Sequence, residues 1–144
     1  MKYKALLERN FTEATKAAEA LDYAFQKCKR LQITPPFNWE TQETVESLTA
    51  RFARLSDIIV QKLLKTIEKV DQDTPGTVRD RILAAEKKEL ITSAETFLEI
   101  RTLRNTLTHD YMGDELESIY QEVMKFTPVL LETLPLINQY IKRY

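Results

Sequence analysis

Apolar residues recur every three or four positions along nearly the whole chain, and two-residue alternation is nowhere sustained. The pattern predicts an all-α protein. A first helix is expected from about Tyr3 to Leu31, with Leu6, Leu7, Phe11, Ala14, Ala18, Leu21 and Phe25 as its buried stripe. The stretch ITPPFNW (33–39) breaks it, because two consecutive prolines cannot continue a helix. Asn38 is placed to cap a second long helix reaching about Val70, along which Val45, Leu48, Phe52, Leu55, Ile59, Leu63 and Ile67 repeat at helical spacing.

DQDTPG (71–76) ends that helix, and Thr74 with Pro75 reads as the start of a shorter third one over about 75–89. Thr92, Ser93, Ala94 and Glu95 match a capping box, in which hydroxyl and carboxylate each satisfy an orphan backbone donor of the fourth helix. Gly113 and the acidic Asp114, Glu115 and Glu117 mark a restart, and a fifth helix runs towards Tyr144, with Pro128 and Pro135 expected to kink or divide it. The sum is an up-and-down bundle of four long helices plus one short helix, in a single domain spanning 1–144.

Composition narrows the function classes. With 21 Lys and Arg against 22 Asp and Glu, the chain is no polycation, which argues against sequence-blind coating of nucleic acid and leaves room for a small basic pocket. Its two glycines, Gly76 and Gly113, form no Gly-rich phosphate loop. No apolar run approaches the roughly 20 residues of a membrane span, and the opening MKYKALLERNF carries charges where a signal peptide has an apolar block. Cys28 has no cysteine partner and reads as a reduced, partly buried thiol, so a cytoplasmic setting is expected.

Candidate chemistry concentrates in RNTLTHDY (104–111), which holds the chain's single histidine. On a wheel of about 100° per residue, Phe97, Ile100, Leu103 and Leu107 form the core stripe, while Arg101, Asn105 and His109 step by four along a polar line beside it. Arg104 and Thr108 fall between the two. Arginine at the edge of a buried surface is costly without a partner or a task. An imidazole beside a fixed guanidinium suits phosphodiester chemistry: the imidazole moves a proton to or from a ribose 2′-OH, and the guanidinium holds the phosphate and its developing charge. That scheme needs no metal, and a lone histidine without a carboxylate or cysteine cluster offers no metal site. The spacing by itself is unspecific, since a histidine at a helix end is commonly a cap or a surface residue.

The same string resembles the R-x4-H-x-Y signature of HepT-type toxins of the HEPN superfamily, and of the related nucleotidyltransferase substrate-binding proteins. The likeness extends to RFARLSDIIVQKLLK (51–65), similar to the family's second helix, and to the run from Thr74 through Tyr111. Two features depart from the pattern. KKELI (87–91) stands where the family often has Gly-Leu-Ile, and Asp57 stands where related chains often carry glutamate.

The resemblance implies a HEPN-like fold and a metal-independent ribonuclease that cuts by 2′-OH attack. It implies a homodimer with a composite active site, in which Arg104 and His109 are catalytic and Asn105 supports them. The implied partner is a cognate MntA-type nucleotidyltransferase antitoxin, which uses ATP and Mg²⁺ to place AMP on Tyr111 and silence the toxin; the chain itself is expected to need no cofactor. Arg101 enters only from the wheel, as an extra phosphate contact. Two other readings stay open: a non-catalytic substrate-binding subunit of a small nucleotidyltransferase, and a helical scaffold using the motif for dimer packing.

Overall fold

Asn38 takes an extended backbone and its side chain accepts the Thr41 N–H at 2.8 Å, so the second helix starts where its cap predicts. The computed structural model describes residues 2–109 and 113–144, and among these the regular structure is helical throughout. The helices are α1 (Lys4–Leu31), α2 (Trp39–Asp57), α3 (Leu64–Val70), α4 (Val78–Lys87), α5 (Ala94–Thr106) and α6 (Gly113–Ile141). A π-helical turn, Ile58–Leu63, joins α2 to α3, so the three make one rod over 39–70. The rod, α1, α5 and α6 are long and α4 is short, which is the expected bundle.

The stripe expected on the second rod is the centre of the core: Val45, Leu48, Phe52, Leu55, Ile59, Leu63 and Ile67 are all fully buried. The π turn was not foreseen. It buries Ile58, Ile59 and Val60 in succession, then Leu63 and Leu64, because this part of the rod is enclosed by α1 on one side and α4 on another. A wider turn carries an extra residue and lets the apolar band exceed one α-helical stripe.

On α1 the buried line is Leu7, Asn10, Ala14, Ala17, Leu21, Ala24, Phe25 and Cys28, whereas Leu6, Phe11 and Ala18 are only half-buried. The line includes a polar side chain, because Asn10 Nδ2 donates to Thr66 Oγ1 at 2.9 Å within the core. Cys28 is buried rather than partly so, at 1% exposure. Burial pushes the Cys28 thiol up.

Helix ends differ from expectation in three places. The cap of α4 is Thr77, not Thr74: Thr77 Oγ1 accepts the Asp80 N–H at 3.1 Å and Asp80 Oδ2 accepts the Thr77 N–H at 3.0 Å, a complete capping box. The cap of α5 is Ser93, not Thr92; Ser93 Oγ accepts the Thr96 N–H, and the Ala94 N–H donates to Glu86 of α4 at 2.7 Å, so Glu95 is not the reciprocal partner. Pro128 and Pro135 both lie inside the continuous α6 and do not divide it. Thr127 and Thr133, each next to a proline's turn, bond back to the carbonyls of Val123 and Val129.

Both α3 and α4 stop in Schellman motifs whose left-handed residue is not glycine. Gln72 (φ 60°) and Glu89 (φ 61°) occupy the position, with Asp73 N–H bonded to Glu68 O and Leu90 N–H to Ala85 O. At the far end of the bundle, the Tyr140 and Tyr144 hydroxyls donate to the two oxygens of Asp71 at 2.6 Å each, tying the end of α6 to the end of α3. Lys88 completes this group through ion pairs to Asp71, at 2.9 Å, and Asp73.

Candidate functional site

The core preference of Phe97, Ile100 and Leu103 sets the rotation of α5, all three being buried at 4% exposure or less. That rotation turns Arg101 and Arg104 towards the second rod, where Ser56 and Asp57 close α2 immediately before the π turn. Arg101 is nine-tenths buried, and its Nη1 donates to Ser56 Oγ at 3.0 Å and to Asp57 Oδ1 at 2.9 Å. Arg104 meets the same carboxylate in a two-pronged pair, Nε to Oδ1 at 2.6 Å and Nη2 to Oδ2 at 2.7 Å. One carboxylate therefore positions two guanidiniums. Burial alone pushes the Asp57 carboxyl up, but the hydrogen bonds and charges of Arg104 and Arg101 outweigh it and hold the group below the usual carboxylate range.

Arg101, Arg104 and Asp57 line a cleft of about 620 Å³ between the rod and α5, to which α1 adds Glu13. Arg54, Asp57, Ile58, Gln61 and Lys62 supply one wall at helical spacing, and Arg101, Arg104 and Asn105 supply the other. A larger cavity, about 880 Å³, lies on another face of α5 against α4 and α6, but Glu86, Glu95, Glu99 and Glu122 line it against only Arg79 and Lys125. Of the two, the first cleft is the one whose cations outnumber its carboxylates. Among the described residues no group of three or more His, Cys, Asp and Glu side chains is placed to hold a metal ion.

Arg101, Arg104 and Asn105 share one wall of the first cleft. Helix α5 ends at Thr106, so the polar line stepping by four stops at Asn105. Past that point the chain tightens: Thr108 N–H bonds to Asn105 O and His109 N–H to Thr106 O, both at 3.2 Å, while the Thr108 hydroxyl also donates to Asn105 O at 2.7 Å. These short-range bonds satisfy carbonyls that another helical turn would have used. His109 is exposed and is not among the residues lining the cleft. Tyr111, the expected AMP acceptor, lies outside the described residues.

Asp57 is the residue that sequence reasoning placed on the right helix without placing it in the site. The available signal was the cost of burying Arg101, which demands a carboxylate partner; nothing in the spacing says that the partner sits 44 residues upstream. Ser56, Arg54, Gln61 and Lys62 were likewise missed. Comparison with protein-family models gives no match for this chain, and comparison with curated proteins gives none either.

Proposed function

We propose that this chain is a metal-independent ribonuclease of the HEPN kind, acting on RNA as a homodimer and paired with an MntA-type nucleotidyltransferase that silences it. The observation that carries the reading is the Arg104–Asp57 pair, which aims a preorganised guanidinium along a cation-lined cleft five residues before the motif histidine. A guanidinium held along its Nε–Nη2 edge keeps its remaining N–H donors for a phosphate and costs little reorganisation when charge builds there.

In this scheme a His109 imidazole takes the 2′-OH proton, the 2′-oxygen bonds to phosphorus, and the bond to the 5′-oxygen breaks. The products are a 2′,3′-cyclic phosphate and a 5′-OH. The leaving oxygen needs a proton as well, and the chain has a single histidine, so acid and base together call for two copies facing one another. Silencing follows if Tyr111 attacks the α-phosphorus of ATP and releases pyrophosphate, because the new anion two residues from His109 competes with RNA for the arginines.

The near-balanced charge, 21 Lys and Arg against 22 Asp and Glu, favours a second reading, a non-catalytic substrate-binding subunit of a small nucleotidyltransferase. An RNA-cleavage assay in excess chelator separates the two. The ribonuclease reading expects cyclic-phosphate ends, lost in His109→Ala and Arg104→Ala while circular dichroism stays native. Cleavage that survives both changes, or no cleavage by the purified chain, rejects it.

A further inference from the structure

The charges in the cleft between the rod and α5 do not cancel. Four cations, Arg54, Lys62, Arg101 and Arg104, face two carboxylates, Glu13 and Asp57. Lys62 is committed to both Glu13 oxygens, at 2.8 and 3.0 Å. Asp57 is shared by Arg101 and Arg104, so that trio keeps one positive charge. Arg54 supplies the other: its guanidinium is exposed and, among the described residues, has no hydrogen bond or ion pair.

The neutral lining points the same way. Gln61 stands about two turns beyond Arg54 on the same wall, and Asn105 stands on the facing wall; neither carboxamide has a side-chain partner among the described residues. Of the nine lining residues only Ile58 is apolar. An open cleft with uncommitted N–H donors on both walls and two charges in excess suits a slender anionic chain better than the apolar core of a protein interface.

We propose that Arg54, with Gln61 and Asn105, forms a phosphate subsite that holds the sugar–phosphate backbone of single-stranded RNA next to the Arg101–Arg104–Asp57 group. The inference rests on the ribonuclease reading for its ligand and adds to it a binding residue that lies outside the RNTLTHDY string. Contacts of this kind are sequence-blind and position the strand.

The test uses the full chain carrying His109→Ala, to prevent cleavage, with a labelled unstructured RNA oligonucleotide titrated across a salt series. Arg54→Gln is expected to weaken binding about 3- to 10-fold and to lower the slope of log K against log salt by about 0.7, the value for one phosphate contact on a single strand. Arg54→Lys is expected to restore the slope, since the slope counts charges. Circular dichroism checks the fold, which Arg54 does not support through any side-chain bond among the described residues. Unchanged affinity and slope in Arg54→Gln overturns the subsite, as does weakening confined to the nucleotidyltransferase partner, which would make the cleft a protein-docking surface. Cleavage by the wild-type chain is scored separately. RNA that binds through Arg54 but is never cut rejects the ribonuclease and keeps the subsite; RNA that is cut with no dependence on Arg54 does the reverse.

Discussion

Asp57 and Arg104, 47 residues apart, share two hydrogen bonds at 2.6 and 2.7 Å, and the same carboxylate takes a third from Arg101. Removing the carboxylate strands two guanidiniums together, one of them nine-tenths buried with only Ser56 left as a partner. Asp57→Ala is expected to cost about 2–3 kcal/mol, less than the roughly 3–5 of a fully buried pair because the Asp57 side chain is one-third exposed. Urea unfolding measures it; a shift below about 0.5 kcal/mol would mean that the arginines find equivalent partners elsewhere.

Acid should act through the same carboxylate and through Asp71. For Asp71, as for Asp57, burial pushes upward but is outweighed, here by the Tyr140 and Tyr144 hydroxyls and Lys88. Both groups lie lower in the folded chain than their ordinary value of 3.8. Stability from each is therefore fully present above about pH 4 and is lost as pH falls through the depressed folded values. Urea midpoints should hold between about pH 7 and 5 and drop below about 4. A variant carrying Asp57→Asn and Asp71→Asn should start less stable and lose less on acidification; an equal loss would count against the assignment.

The corrected start of α5 makes a sharp comparison. Ser93→Ala removes the oxygen that accepts the Thr96 N–H and should cost about 1 kcal/mol. Thr92→Ala, at an exposed position, should change stability by less than about 0.5 kcal/mol. Thermal unfolding of the two variants side by side checks the order, and a larger loss at Thr92 would put the cap back there.

Glu89 sits at φ 61°, in the KKELI turn between α4 and α5. A β-carbon in the left-handed region costs roughly 1–2 kcal/mol, and glycine gives back part of that gain through its freer unfolded chain. Glu89→Gly should stabilise by about 0.5–1 kcal/mol; a loss would show that the turn tolerates glutamate without strain.

The apolar rhythm alone determined the class of fold, the five-rod plan, and the buried faces of the second rod and α5, because burying a stripe every three to four residues is a local property of the chain. Residue type marked Asn38 as a cap, and the helical wheel put Arg101, Asn105 and His109 on one polar line with Arg104 beside it. What only the tertiary structure decided depends on how those rods meet. The Asp57 clamp joins side chains from different helices, whose approach follows from packing angle and rotation rather than from spacing. Ser93 displaced Thr92 as the cap of α5, where Glu86 of α4 takes up the Ala94 N–H. The π turn lies where α1 and α4 enclose one rod from two sides, and α5 closes on its own carbonyls three residues before His109.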